Sequence, residues 1–158
     1  DLTRFTRHTS HADRTDSDEQ VDHLKAALQL VSGQPFSGTR EGYAWVWTEG
    51  LYSHSIVTID ETAHRLSELA LNQDNPDLTT WSARQGLLAA PTCENCYRNL
   101  MRAAIAEDNR VALEVIFDEL VAVVEADDDE PDAMSLLDPE TVTLYEQHSR
   151  KHSHRRKR

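Results

Sequence analysis

Apolar residues recur at spacings of three and four along most of the chain, which is the period of an amphipathic helix. The first such run is Val21, Leu24, Leu28 and Val31, and Gly33 is a natural stop after it. No stretch alternates polar and apolar residues in the way that a half-buried strand would. The pattern therefore predicts an all-α fold.

Turn-forming residues divide this pattern into about six helices. The first is expected from residue 17 or 18 to Gly33. The others are expected over residues 48–73, 77–90, 92–106, 110–125 and 138–149. Asp77 is the candidate N-cap of the third helix, and Pro91 ends it, because the residue before a proline disfavours the helical conformation. The fifth helix is apolar nearly all round, which predicts a central position.

Charge is divided unevenly along the 158 residues, whose formal net charge is -12. Residues 150–158 hold six of the 16 basic residues and no acidic one, so residues 1–149 carry 10 basic and 28 acidic residues. We expect a disordered or loosely attached lead-in over residues 1–17, a helical domain over 18–149 and a flexible basic tail. The tail is either solvated or contacts nucleic acid or anionic lipid. Its basic residues are Arg150, Lys151, Arg155, Arg156, Lys157 and Arg158.

The composition also limits the setting and the partners. The acidic body argues against general nucleic-acid binding outside the tail, unless a further domain supplies it. No apolar run approaches the roughly 20 residues of a membrane-spanning helix, so this segment is not expected to enter a membrane. We expect a cytoplasmic piece of a longer protein, or the cytoplasmic part of a membrane-attached one.

The second half of the helical pattern aligns with the first when the chain is shifted by about 34 residues, which is the period of the tetratricopeptide helix–turn–helix unit. The aligned pairs are Ala63 with Tyr97, Leu66 with Leu100, Ala70 with Ala104, Ala83 with Phe117 and Leu87 with Val121. The spacing therefore predicts tetratricopeptide-like antiparallel helical hairpins, which stack because neither hairpin can bury its apolar face alone.

In such a stack, the first helix of each hairpin lines a concave surface, which is the expected partner-binding face. The first unit would present Glu61, His64 and Glu68, and the second would present Arg98 and Arg102. The two arginines are one helical turn apart and so share a helix face, where they could bind a carboxylate, a phosphate or a nucleotide. The alternative is that they pair with nearby acids such as Glu94 or Asp108.

Trp45 and Trp47 stand close together after a loop over residues 33–43, which holds three Gly and one Pro. They either anchor this loop onto the second helix, or one of them is an aromatic anchor for a partner, since Trp is enriched in binding hot spots.

No constellation in the sequence indicates an enzyme or a cofactor. Cys93 and Cys96 form a Cys-x-x-Cys pair, which is a redox dithiol, half of a zinc site completed by His, or two small residues at the start of the fourth helix. We favour the last interpretation and expect neither a metal nor another cofactor. No phosphate loop, zinc-protease motif, nucleophile elbow or kinase signature is present.

Several of these features together resemble a known family. These features are the helix that ends at Gly33, the loop GQPFSG, the Trp45–Trp47 pair, the long helix before two hairpins and the final stretch DPETVTLYEQH. Together they resemble the bacterial transcriptional activator domain over residues 18–149. The resemblance implies an all-α, tetratricopeptide-like fold. In actinomycete regulators this domain follows a winged-helix DNA-binding domain and is taken to serve dimerisation and contacts with other proteins, without catalysis.

The chain departs from that family in two respects. It contains no winged helix, and the acidic stretch DDDEPDAMS replaces the usual Leu-Gly-Pro turn before the last helix, so the resemblance does not predict how that helix docks. We expect a noncatalytic protein-interaction module of a larger bacterial transcriptional regulator, which binds a partner protein or itself. The alternative is a binder of phosphate, nucleotide or nucleic acid through Arg98 and Arg102 or through the tail.

Overall fold

The computed structural model describes residues 2–37, 50–127 and 133–150. These residues form eight helices and no strand, which confirms the all-α class. The helices are α1 (Leu2–Ala12), α2 (Ser17–Leu28), α3 (Leu51–Asn72), α4 (Pro76–Ala89), α5 (Glu94–Ala106), α6 (Arg110–Asp127), α7 (Ala133–Leu136) and α8 (Pro139–Arg150). In the described part of the chain, no helix has the length and apolar character needed to cross a membrane.

From α3 through to α6, consecutive helices pack on each other, because the short loops between them favour antiparallel neighbours. Helix α3 also contacts α5, so alternate helices lie close to each other. At one end, α2 covers α3 and α4, and α1 packs on α2. At the other end, α8 packs on both α5 and α6. The result is one continuous hydrophobic core that runs through all the long helices.

The loops α3–α4 and α5–α6 repeat each other in detail. Asp74 and Asp108, which the repeat aligns with each other, both have a left-handed backbone, with φ of 52° and 53°. The next residue in each loop, Asn75 or Asn109, accepts a hydrogen bond at Oδ1 from an amide in the first turn of the following helix, at 3.0 and 3.1 Å. Both asparagines therefore cap that helix. The prediction that Asp77 is the N-cap of α4 was wrong, since Asn75 holds that position.

Buried positions follow the same shift. Of the aligned pairs, four have both members buried in the core, and Leu87 and Val121 of the fifth are partly buried. The tetratricopeptide likeness itself stays a prediction, although the residues of each aligned pair are buried to a similar extent.

The lead-in differs from the prediction. Residues 2–12 form helix α1 instead of a disordered segment, with Phe5 and Ala12 buried against the core. Arg65 of α3 also forms an ion pair with Asp13 and donates from Nη2 to the Ala12 carbonyl at 3.3 Å. Leu2 and Phe5 are the large apolar residues of this polar segment, and two such residues are too few to show a helical period.

The fifth predicted helix, α6, is not central. Its inner face is buried through Leu113, Phe117 and Leu120, but Val111 and Val115 are 71% and 57% exposed. The prediction was wrong because α6 lies at the edge of the stack and is covered on one side only, by α5, α7 and α8. The short helix α7 was also not predicted, as it lies in the acidic break.

Candidate functional site

Helices α3 and α5 meet along a row of polar side chains. Asp60, His64 and Glu68 stand one turn apart on α3, and each contacts a polar residue of α5. We call this row, together with Asn95, Asn99 and Arg102 opposite, the α3–α5 seam.

Each contact across the seam joins side chains at nearly equivalent positions of the two hairpins. Asn95 donates from Nδ2 to Asp60 Oδ2 at 3.3 Å. His64 Nδ1 lies 3.3 Å from the side-chain amide of Asn99, which is fully buried. Arg102 donates from Nη1 to Glu68 Oε1 at 3.2 Å. The structure thus brings the predicted surface residues His64, Glu68 and Arg102 together in the seam. Glu68 and Arg102 pair with each other, and His64 pairs with Asn99.

Arg98 lies beneath the start of α8 and is only 9% exposed. Its Nη1 donates to Thr141 Oγ1 at 2.9 Å, and its Nη2 donates to Asn95 Oδ1 at 2.6 Å. The carboxylates of Asp138 and Glu140 lie 3.5 and 4.0 Å from the guanidinium. The charge and most of the donors of Arg98 are therefore used inside the fold.

Glu94, at the start of α5, caps α8 from outside that helix. Its carboxylate accepts the Asp138 amide at 3.0 and 3.1 Å and the hydroxyl of the buried Thr141 at 2.7 Å. Asp138 in turn accepts the Glu140 amide at 2.9 Å. Negative charge at a helix N-terminus is favourable, so the acids here hold α8 in place.

Arg102 is more open than Arg98, with 31% of its side chain exposed. It lies between Glu68 at 3.2 Å and Glu140 at 3.4 Å. Each of these partly exposed pairs is worth on the order of 1 kcal/mol or less. Arg102 therefore contributes modestly to stability and is balanced by two negative charges.

This geometry changes the predicted role of the two arginines. Arg98 does not face an open concave surface, because α8 covers it. The alternative that the arginines pair with acids is confirmed, but the acids that contact them are Glu68, Asp138 and Glu140 and not the suggested Glu94 or Asp108. These acids are distant from the arginines in the sequence, so their proximity depends on how the helices pack.

The other predicted site residues fall outside the seam contacts. Glu61 is exposed on α3, immediately beside the seam. Trp45 and Trp47 lie outside the described residues, and so does the tail from residue 151 onward. Arg150 ends α8.

The two cysteines lie where the seam begins. Cys93 is the N-cap of α5 and Cys96 is buried in the first turn, as predicted for two small residues at this point. Their sulfurs and a carboxylate oxygen of Asp60 all lie within 4.8 Å of one another. The hydrogen bond with Cys93 raises the pKa of the Cys96 thiol, and burial raises it further. Sequence reasoning missed Asp60 and looked to His for further ligands.

Comparison with the models of known protein families, with curated proteins and with solved structures gives no significant match to this chain. The resemblance to the bacterial transcriptional activator domain therefore stays a prediction.

Proposed function

We propose that the chain is a noncatalytic protein-interaction module and that the outward face of α6 carries the contact. The observation behind this proposal is the position of α6. A helix that is apolar nearly all round is normally enclosed on every side, yet this one lies at the edge of the fold. Val111 and Val115, one turn apart, are 71% and 57% exposed, and Ala122 is exposed on the same side.

The exposed row on α6 is suited to another helix more than to a small molecule. Side chains one turn apart form a shallow ridge without an enclosing wall. Asp118, also exposed, lies within this row and can fix the register of a partner through one polar contact. The partner is either a second copy of the chain or another protein with a matching apolar helix face.

The alternative, capture of an anion by Arg98 and Arg102, has less support from the geometry. An incoming phosphate would have to displace Asp138 and Glu140 from Arg98, and Glu68 from Arg102. The helical body is also acidic, which repels anions at longer range. The proposal that the tail binds nucleic acid is independent of these contacts.

We also propose, from the sequence resemblance and the internal repeat, that the module belongs to a larger bacterial transcriptional regulator. In such a protein, the α6 face would join subunits or recruit another component. In the gene product that contains this chain, a charge on α6 should lower transcription of a reporter gene while the protein level is unchanged.

The interaction itself is tested with a charge placed on the α6 row. Val111→Glu and Val115→Glu should abolish self-association, measured by light scattering over a range of concentrations. A photo-crosslinker at position 111 or 115 should capture a partner in cells if the contact is with another protein. The matched control is Val57, a valine 52% exposed on α3, changed to Glu or replaced by the crosslinker. A monomeric chain with equal crosslinking at positions 57, 111 and 115 would refute the proposal.

A further inference from the structure

Asp60 of α3 lies against both cysteines of the Cys-x-x-Cys pair. Cys93 Sγ donates to Asp60 Oδ1 at 3.0 Å, and Cys96 Sγ lies 3.8 Å from the same oxygen. Three potential ligand atoms therefore converge on one small volume, all within 4.8 Å of one another. Among the described residues, Asp60, Cys93 and Cys96 are a set of three side chains whose ligand atoms lie close enough to hold one metal ion.

The neighbouring groups already orient these three side chains. Asn95 holds the second oxygen of Asp60, Oδ2, at 3.3 Å and thereby turns Oδ1 toward the sulfurs. The Cys96 amide donates to Cys93 Sγ at 3.4 Å, so the N-cap position of Cys93 at α5 fixes the direction of that sulfur. Such outer contacts are the usual support of metal ligands.

We propose that Cys93, Cys96 and Asp60 form a binding site for zinc or a similar thiophilic divalent cation. Cysteine thiolate and carboxylate oxygen are both ligand types that Zn²⁺ accepts, and three protein ligands leave the fourth position of its tetrahedron open. Magnesium and calcium prefer oxygen ligands alone and are disfavoured here. On binding, both thiols release a proton and two sulfur–metal bonds form together with one oxygen–metal bond. Solvent takes the fourth position, since Cys93 is only half buried.

The metal would join two parts of the chain that are distant in sequence. Asp60 lies in α3 and the cysteines begin α5, so the bonds close a long loop between the two hairpins. Because the unfolded chain lacks a preformed site, metal affinity would add to the free energy of unfolding. The site is distinct from the α6 face, and the two proposals can fail separately.

The test is a titration of the reduced, metal-free full chain with Co²⁺ as a spectroscopic probe. We expect one equivalent to give a thiolate-to-cobalt charge-transfer band and the visible bands of tetrahedral cobalt, both lost when Zn²⁺ displaces the probe. Cys93→Ser should remove a thiolate while it retains an N-cap, because Ser is a preferred capping residue. Asp60→Asn should weaken binding on the order of tenfold or more.

Glu61→Gln is the matched control, since it removes a carboxylate from the adjacent, exposed position of α3 and should bind cobalt as the wild type does. Circular dichroism establishes that each variant is folded. Binding to the histidines alone would give cobalt spectra without a thiolate band and would overturn the proposal. A reduced chain that binds no cobalt, or that forms a Cys93–Cys96 disulfide in place of the metal site, would overturn it as well.

Discussion

Arg98 of α5 donates from Nη1 to the hydroxyl oxygen of Thr141 in α8 at 2.9 Å. The same hydroxyl donates to Glu94 Oε2 at 2.7 Å, so one buried threonine joins a cation and an anion of α5. The last helix is thus attached at its start by a polar network. Further along, Tyr145 stacks on Phe117 with ring centroids 3.9 Å apart and supplies the apolar part of the contact.

Replacement of Thr141 by Val should destabilise the fold by about 1–3 kcal/mol, because Arg98 and Glu94 each lose a partner at a buried position while the shape is kept. Thr143→Val, at an exposed position of the same helix, is the control and should change the free energy of unfolding by about 0.5 kcal/mol or less. Urea unfolding measures both values. Equal effects would mean that the network does not hold α8.

Helix α4 approaches α5 closely at Gly86. A Cβ atom at this position would overlap Cys96 Sγ and lie 3.0 Å from Ala63 Cβ. Gly86→Ala should therefore cost about 1–3 kcal/mol by overpacking, in spite of the better helix propensity of Ala.

The same contact predicts a rescue. In the double variant Gly86→Ala, Cys96→Ala, the new methyl group occupies space that the sulfur has left, so the double variant should be more stable than the sum of the single changes predicts. A double-mutant cycle from urea unfolding of the reduced, metal-free chain measures this coupling. Additive effects would contradict the close approach.

The sequence allowed six of the eight described helices to be predicted, but only part of the site. Periodicity indicated α2 to α6 and α8 because each buries an apolar face. The Asp-Asn dipeptides at residues 74–75 and 108–109 indicate the repeat more strongly than the apolar matches, because both form the same turn and helix cap. In contrast, the burial of Arg98 depends on where α8 docks, and the contact of Asp60 with the cysteines depends on the packing of α3 against α5. Neither arrangement leaves a local pattern.

Stability should fall in mild acid because of His8 in α1. Burial lowers the pKa of His8 below its ordinary value of 6.5, and the charges of Arg7, His23, Arg4 and His11 lower it further. A depressed pKa means that the folded state resists protonation. The contribution of neutral His8 to the free energy of unfolding is therefore fully present above pH 6.5. It is lost as the pH falls through 6.5 and below the pKa of His8 in the folded state.

Melting temperatures measured between about pH 8 and about pH 5 test this expectation, since His titrates in that range. His8→Gln should reduce the loss in acid. His54→Gln, at an exposed position of α3, serves as the control and should leave the profile unchanged. A wild-type profile in the His8 variant would exclude His8 as the cause.

The basic tail, not the seam, is expected to carry any binding to nucleic acid. Removal of residues 150–158 deletes six positive charges from a chain of net charge -12. Binding of the full chain to a DNA duplex should weaken with salt, with a log–log slope of about -0.9 for each phosphate neutralised. The truncated chain should lose this binding.

Arg102→Gln should leave both affinity and slope unchanged, because Glu68 and Glu140 already balance that arginine. Fluorescence anisotropy at several salt concentrations measures both quantities, and salt-dependent binding that survives the truncation would assign it to the helical body.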